Sequence, residues 1–224
     1  LLDVCYYKTL TIVSGDARNE SLLKKHIAGK DFIIPLACLV GAPLCEQDPI
    51  GATSINRDAV LMLLKLRTPQ QKIIFPNTNS GYGRMLEGVA HCDEKSPLEP
   101  ISLYGRLKVE TEKALLEAGN AITFRLATVC GISPRMRIDL LVNDFVYRAI
   151  TDRAVILFEP HFKRNYLHIR DVARVFMHAM ENFEKMKNKT YNVGLSDANL
   201  SKSELCEKIK MQLPKFVFIE SPIG

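Results

Sequence analysis

Short apolar runs alternate with helical patterns along this chain, and that alternation limits the fold more than any other feature. The run at 31–40 is apolar on both faces, as a strand covered on both sides is. Strands that alternate with helices pair in parallel, because each helix returns the chain to the same edge of the sheet. The sequence therefore predicts an α/β protein with a doubly wound parallel sheet. The predicted strands are residues 10–16, 31–40, the first part of 72–83, and 121–129, with helices at 54–67 and 102–119.

The pattern becomes more mixed after Gly131. A smaller, mixed subdomain at 132–224 that mainly binds substrate is expected beside a first part at 1–131, with some of its segments returning to the core of that first part. The last ten residues, KFVFIESPIG, end on what looks like a loop. The elements predicted in this half are helices at 138–150 and 170–183, strands at 154–159 and 190–194, and a helix opened by a capping box of Ser201 and Glu204.

Charge and cysteine usage exclude several kinds of partner. The 224 residues carry a net charge of +5 without a run of five or more basic residues, so no nucleic-acid partner is expected. No stretch approaches the about 18 apolar residues of a transmembrane helix, so no membrane partner is expected. The six cysteines form no Cys-x-x-Cys pair, which favours reduced, mostly buried thiols in a cytoplasmic protein and no metal site. The chain begins without methionine and within a pattern, so we expect a fragment.

One helical segment, SLYGRLKVETEKALLEAG, places Tyr104 one turn ahead of Lys108. Positions four residues apart share a helix face, about 6 Å from each other. Lowering the pKa of a phenol from about 10 to about 7 takes roughly 4 kcal/mol of phenolate stabilisation. One cation at about 4 Å supplies roughly that amount at an effective dielectric constant of about 20. The pair is suited to proton transfer at a hydroxyl or carbonyl group, although tyrosine and lysine also meet by chance on solvated helix faces.

The sequence before this helix makes the chemical interpretation more specific. A buried run ends in FPNTNSGYG, residues 75–83, which places hydroxyl and amide groups at the carboxyl end of a predicted parallel strand. Open α/β sheets bind their ligands at that edge. A strand end and a Tyr–Lys helix therefore combine into one candidate site.

Motifs in order along nearly the whole chain resemble an extended short-chain dehydrogenase/reductase, the NAD-dependent epimerase/dehydratase family of nucleotide-sugar enzymes. The resemblance implies a Rossmann-like fold whose N-terminal strand, glycine loop and second strand are missing here. The acidic residue that distinguishes NAD from NADP in this family is also missing here, so the resemblance is compatible with either cofactor. The motifs are GDARN (15–19), DFIIPLAC (31–38), INRDAV (55–60), NTNSGYG (77–83), PISLYGRLKVETE (100–112), RLATVCGISP (125–134), KRNYLHIRDVAR (163–174) and YNVG (191–194).

The same resemblance implies roles for three catalytic residues. Tyr104 would be the acid/base, and Lys108 would be its electrostatic partner and would also bond the nicotinamide ribose. Thr78 would bond the substrate oxygen whose charge changes, unless its hydroxyl only caps a turn. Dehydratases of this group follow the catalytic hydroxyl with Asp-Glu, whereas Asn79 and Ser80 follow Thr78 here. Dehydration is therefore disfavoured, and epimerisation or keto-group reduction is expected.

Besides Tyr104 and Lys108, five residues would contact NAD or NADP according to the resemblance. Asp16 would bond the adenine, or else is an ordinary turn aspartate, and Ala17 would contribute backbone contacts. Leu36 and Ala37 would line the cofactor through their backbone. Asn56, in the position of an asparagine that opens a helix, would orient the nicotinamide side of the site; a simple helix-start role is the alternative.

The substrate side of the site is expected to involve Arg164 and Asn143. Arg164 matches an arginine that holds the nucleotide diphosphate in many relatives, and a solvated surface charge is the alternative. Asn143 would lie near a substrate phosphate. His168 and Asp171 are expected to be structural at a helix start, and Arg125 is expected to be structural as well.

Three functions stay open at this point. The first is an NAD(P)-dependent nucleotide-sugar epimerase or keto-reductase that transfers hydride at a sugar carbon. The second is a non-catalytic binding or regulatory protein on the same scaffold, which the missing glycine loop would favour if the chain were complete. The third is a reductase of a substrate that is not a nucleotide sugar. The resemblance also implies a homodimer through the Tyr104 helix and the helix at 54–67.

Overall fold

The computed structural model describes residues 7–83, 92–134 and 136–222. Cys5 lies outside this range. Helices and strands are named here in chain order. The helices are α1 (Glu20–Ile27), α2 (Ala42–Gln47), α3 (Pro49–Thr53), α4 (Ala59–Leu66), α5 (Leu103–Ala118), α6 (Leu141–Thr151), α7 (Ile169–Glu181), α8 (Phe183–Met186) and α9 (Lys202–Gln212). The strands are β1 (Phe32–Ile33), β2 (Lys72–Thr78), β3 (Ala121–Leu126), β4 (Thr128–Cys130), β5 (Ala154–Phe158), β6 (Lys163–His168), β7 (Lys189–Val193), β8 (Asn199–Ser201) and β9 (Val217–Ser221).

The main sheet has four strands in the order β1–β2–β3–β7. β1 pairs with β2 and β2 pairs with β3 in parallel, with Thr78 at the end of β2 beside Leu126 at the end of β3. The predicted α/β class with a parallel sheet is confirmed. Because β2 and β3 run in the same direction, their carboxyl ends open at one edge, where the polar segment after Thr78 begins.

The chain forms two compact units. One contains residues 1–126 and 176–192, and the other contains residues 127–175 and 193–224. The first has a core between the sheet and its covering helices, built from Ile27, Ile33, Val60, Leu63, Ile73, Phe75, Leu115 and Ala121. The second has a separate core, built from Phe145, Ala149, Val155, Leu157, Tyr166, Leu205, Cys206, Ile209 and Phe216.

The second unit contains two small sheets. β4 pairs in parallel with β6, and β6 pairs antiparallel with β8. β5 pairs in parallel with β9 over five residues each. Within the last ten residues, Val217–Ser221 form the strand that pairs with β5, and Pro222 after it lies outside any helix or strand. The helix α9 starts as predicted, with both hydrogen bonds of the capping box between Ser201 and Glu204 present.

Two predicted strands of the first unit differ from the structure. Residues 10–16 form no strand, and their apolar side chains Leu10, Ile12 and Val13 are exposed. Alternation alone cannot make a strand, which needs a neighbour for its backbone hydrogen bonds. The predicted strand at 31–40 is reduced to Phe32–Ile33, because Pro35 lacks an N–H group for the ladder and the chain then leaves the sheet.

The helix predicted at 54–67 is longer and contains an irregular turn. α3 continues into a π-helical turn at Ser54–Asp58 and then into α4. Asn56 therefore lies inside a helical run and does not open it, which corrects the predicted position. Single π turns within helices are frequently found at functional sites.

The cysteines are partly as expected. Those in the described part of the chain are free thiols; Cys45 and Cys206 are buried, and Cys38, Cys92 and Cys130 are partly exposed.

Within residues 7–83, 92–134 and 136–222, no helix has the length and apolar character needed to cross a bilayer.

Candidate active site

The helix α5 begins beside the polar turn that follows β2. Ser102 is its N-cap and accepts a hydrogen bond from the Gly105 backbone N–H at 3.1 Å. A Cβ atom on Gly105 would lie 2.9 Å from Pro100 Cβ and 3.1 Å from the Ser80 carbonyl oxygen. Only glycine lets the helix approach the turn this closely, so Gly105 places the start of α5 against the segment that carries Thr78.

Lys108 is buried under the end of β2, with 4% of its surface exposed. Its Nζ donates a hydrogen bond of 2.8 Å to the Pro76 carbonyl and lies 4.3 Å from the centre of the Phe75 ring. Burial lowers the pKa of the Lys108 ammonium, and the nearby Cys38 sulfur opposes that shift. A cation held in such low-dielectric surroundings interacts strongly with any negative charge that develops beside it.

Tyr104 lies one turn before Lys108 in α5 and is partly buried. It packs against the small cluster of Cys45, Ala52 and Leu107. The apolar contacts fix the ring on the side of the helix that faces α2 and α3. Tyr104 and Lys108 are therefore one turn apart on a helix whose start is anchored by the Ser102 cap.

Thr78 ends β2 and begins a short 3-10 turn, Asn79–Tyr82. Its hydroxyl oxygen accepts a hydrogen bond from the Ser80 backbone N–H at 3.1 Å and donates one to the Ser80 hydroxyl at 3.1 Å. The turn-capping role is therefore present in the structure. The hydroxyl has one proton, which can rotate from the Ser80 oxygen to a substrate oxygen while the Thr78 oxygen still accepts from the Ser80 N–H, so capping and substrate binding are compatible.

An open cavity of about 370 Å³ lies beside the loop that follows β1. It brings together three of the predicted cofactor contacts, Asp16, Ala17 and Ala37. Leu36, another predicted contact, is 70% exposed next to them. The cavity is lined by Gly15, Asp16, Ala17, Ala37, Cys38, Leu39 and Ile55.

Asp16 is held as an anion at the rim of this cavity. Arg18 donates to its carboxylate through the backbone N–H at 2.8 Å and through Nη2 at 2.6 Å. These hydrogen bonds lower the pKa of Asp16 to about 2. The carboxylate is thus an acceptor over the whole physiological pH range.

Asn56 stands behind the cavity wall. It is 1% exposed, its Oδ1 accepts from the Leu39 N–H at 2.8 Å, and its Nδ2 donates to the Leu39 carbonyl at 2.9 Å. One side chain therefore supplies the hydrogen bonds that a neighbouring strand would otherwise make to the N–H and carbonyl of Leu39. In this structure Asn56 shapes the loop that lines the cavity, a role that its predicted helix-start position did not suggest.

Two of the three predicted substrate residues, Asn143 and Arg164, belong to the second unit and have opposite environments. Asn143 is buried on α6, accepts from the Gly131 N–H at 3.1 Å and donates to the Arg137 carbonyl at 3.0 Å. Arg164 is exposed on β6, opposite Leu200 of β8. Asn143 thus organises the loop after β4, whereas Arg164 has a charge that faces solvent.

A group of buried polar residues on α5, β2 and β3 was not predicted from the sequence. Glu112 and Arg125 form a buried ion pair of 2.6 Å, and Asn77 and Tyr82 bond to it. The available signal was an acid, Glu112, one turn after Lys108 on the same helix face, together with Asn77 in an otherwise apolar strand. Arg125 was expected to be structural, and its burial in this pair agrees with that expectation.

A family model described as "NAD dependent epimerase/dehydratase family" matches residues 3–194. The chain belongs to the NAD-dependent epimerase/dehydratase family. The resemblance in the motifs is confirmed, and the matched span includes Thr78, Tyr104 and Lys108. The cavity residues Asp16, Ala17 and Ala37 also lie within it.

Several solved structures of nucleotide-sugar enzymes share the fold of this chain. The dTDP-glucose 4,6-dehydratase of Bacillus anthracis, solved with NAD, aligns with a TM-score of 0.84 at 19% identity over 100% of this chain and 71% of its own. The UDP-glucose 4-epimerase of Thermotoga maritima, solved with UDP-glucose, aligns with a TM-score of 0.80 at 22% identity over 94% and 71%. RMD of Pseudomonas aeruginosa, solved with NADPH, gives 0.81 at 16% over 95% and 77%. The predicted Rossmann-type parallel sheet is confirmed.

Proposed function

We propose that the protein is an NAD(P)-dependent nucleotide-sugar epimerase or keto-reductase. The observation that carries the proposal is the arrangement on helix α5, where Tyr104 lies one turn before the buried Lys108. The Lys108 ammonium donates a hydrogen bond to β2, the strand that ends at Thr78. Membership of the epimerase/dehydratase family supports the same reaction class.

Tyr104 is the proton-transfer group in this proposal. A phenolate at Tyr104 removes the proton of a sugar hydroxyl, and the phenol returns it to a carbonyl in the reverse direction. Lys108 stabilises the phenolate, because one cation at about 4 Å supplies roughly the 4 kcal/mol needed at an effective dielectric constant of about 20. Thr78 donates a hydrogen bond to the sugar oxygen as it becomes negative.

The cavity beside the β1 loop is the proposed place for the cofactor. Its residues fit a dinucleotide, since Asp16 offers a permanent acceptor for an adenine amino group and the small Ala17 and Ala37 leave the backbone accessible. A bound nicotinamide supplies the hydride acceptor and donor for the sugar carbon. Titration with NADH and NADPH, followed by the fluorescence of the reduced nicotinamide, tests this assignment directly.

Epimerisation or reduction is favoured over dehydration. The residues after Thr78 are Asn79 and Ser80, and neither side chain ionises to the carboxylate that eliminates water.

Arg164 is proposed to hold the diphosphate of the substrate, because an exposed guanidinium offers a bidentate match to phosphate oxygens.

The proposal is tested by turnover of UDP- and dTDP-hexoses with NAD or NADPH. Tyr104→Phe is expected to lower kcat by about 10²- to 10⁴-fold, because the proton acceptor is gone. Thr78→Ala is expected to lower kcat by roughly 10²-fold, and Thr78→Ser should keep most activity because the hydroxyl remains. Tyr191→Phe removes a phenol oxygen that bonds the Met186 carbonyl and serves as the matched control.

Three results would contradict the proposal. Full activity in Tyr104→Phe would rule out the proton-transfer role. Cofactor binding without turnover of any sugar nucleotide by the parent protein would favour a binding protein on this scaffold. A substrate KM that is unchanged in Arg164→Ala would favour a reductase whose natural substrate is not a nucleotide sugar.

A further inference from the structure

A buried ion pair lies under the turn that carries Thr78. Glu112 of α5 and Arg125 of β3 are in contact at 2.6 Å, with side chains 2% and 6% exposed. Replacing such pairs by apolar residues is often neutral or stabilising, because both charges must lose water. The net contribution of the ion pair to stability is therefore small. Its hydrogen bonds instead favour a role in arranging the polar groups around it.

Glu112 is connected to the start of the turn. Its Oε2 accepts hydrogen bonds from Asn77 Nδ2 at 2.5 Å and from Thr123 Oγ1 at 3.2 Å. The Oδ1 atom of the same asparagine accepts from the Thr78 backbone N–H at 2.9 Å. One asparagine thus joins the backbone of Thr78 to the carboxylate on α5.

Arg125 is connected to the end of the turn. Its Nη1 donates to the Tyr82 hydroxyl at 2.8 Å, and its guanidinium carbon lies 5.0 Å from the centre of the Tyr82 ring. The Tyr82 hydroxyl in turn donates to Asn192 Oδ1 at 2.6 Å. Both ends of the Thr78–Tyr82 segment are therefore tied to the same ion pair.

The helix that supplies Glu112 also supplies Tyr104 and Lys108, at positions eight and four residues earlier. We propose that the Glu112–Arg125 pair, acting through Asn77 and Tyr82, positions the Thr78 hydroxyl relative to Tyr104 and Lys108. Asn77 and Tyr82 are positioning residues, since neither has to touch substrate. The proposal deepens the proposed function and rests on it.

Tyr82→Phe is the mildest test, because it removes two hydrogen bonds and leaves the ring on Arg125. We expect kcat to fall by roughly 10- to 100-fold, the scale of a misplaced group, while the Kd of NAD(P) and the substrate KM change little. Tyr191→Phe, another phenol of the same unit, should leave kcat unchanged. An unchanged kcat in Tyr82→Phe together with a loss in Thr78→Ala overturns the positioning proposal and leaves the proposed function standing.

A double-mutant cycle separates positioning from general destabilisation. If Tyr82 acts through Thr78, Tyr82→Phe has little further effect once Thr78→Ala has removed the hydroxyl. Losses that multiply fully would overturn the proposal, because the two residues would then act independently.

Amide hydrogen exchange provides a readout that does not need activity. Tyr82→Phe and Asn77→Ala should accelerate exchange in residues 78–83, whereas Tyr191→Phe should not. Unchanged exchange in both variants overturns the positioning proposal even if Tyr104→Phe is inactive. Faster exchange in a protein whose Tyr104→Phe and Thr78→Ala variants remain fully active refutes the proposed function and, with it, a catalytic purpose for the positioning.

Discussion

Lys108 is an ionisable side chain with 4% exposure, and its burial costs free energy whenever it carries its proton. The hydrogen bond to the Pro76 carbonyl and the Phe75 ring offset part of that cost. Burial nonetheless lowers the pKa of the group, so the folded protein disfavours the ammonium form. At the residue scale, the proposed proton-transfer site would therefore lose stability where it gains a strong local electric field.

Lys108→Met should remove that cost while keeping an unbranched side chain over Phe75. At neutral pH we expect the free energy of unfolding to fall by no more than about 1 kcal/mol, and it can rise. The folded-state pKa is below the ordinary value of 10.5, so the cost exists below the folded-state pKa and disappears as the pH rises toward 10.5. Any gain in stability should therefore shrink near that pH.

Urea unfolding at neutral pH and near pH 10 measures this difference, with the exposed Lys113→Met on the same helix as control. A destabilisation above about 3 kcal/mol in Lys108→Met would show instead that the ammonium is a net stabilising partner in the fold. Activity should be lost in Lys108→Met and kept in Lys113→Met.

At the scale of elements, local signals predicted best where the chain satisfies its own backbone. The capping box of Ser201 and Glu204 opens α9 as predicted, and the strand at 154–159 appears as β5. Segments that depend on a distant partner were predicted worst. In the loop after β1, the backbone N–H and carbonyl of Leu39 bond the side chain of Asn56, which lies 17 residues later. No local sequence pattern predicts that contact.

Ser201→Ala tests how much the cap contributes. The hydroxyl accepts from the Glu204 N–H at 3.1 Å, and the residue is buried, so its loss leaves a helix N–H without this acceptor. We expect a decrease of about 1 kcal/mol in the free energy of unfolding, measured by urea denaturation. The exposed Ser196→Ala, in the turn before β8, should change it by less than about 0.5 kcal/mol. Equal effects of both substitutions would show that the cap is not stabilising.

At the scale of the whole molecule, two separate apolar cores hold the two units. Phe75 and Leu115 belong to one core, and Leu157 and Phe216 belong to the other. The proposed catalytic and cofactor residues lie in the first unit, while Asn143 and Arg164 lie in the second. A division into cofactor and substrate parts remains a prediction.

Substitutions in the two cores should have separate local effects. Leu115→Ala should cost about 2–5 kcal/mol and Phe216→Ala about 3–5 kcal/mol, because both side chains are almost fully buried. Hydrogen exchange should show the larger loss of protection in β2 and β3 for Leu115→Ala, and in β5 and β9 for Phe216→Ala. Equal loss in both units from either substitution would show that they unfold as one cooperative body.

The sequence by itself determined the α/β class, the family motifs and the Tyr104–Lys108 spacing, because apolar periodicity and i, i+4 geometry are local properties of a chain. Only the tertiary structure decided that Lys108 is buried against Pro76, that Asn56 supports the cavity wall, and that Asn77 and Tyr82 meet one ion pair. Those contacts join residues 17 to 43 positions apart. Their formation depends on which surfaces pack together, and a buried polar group finds its partner only after that packing has excluded water.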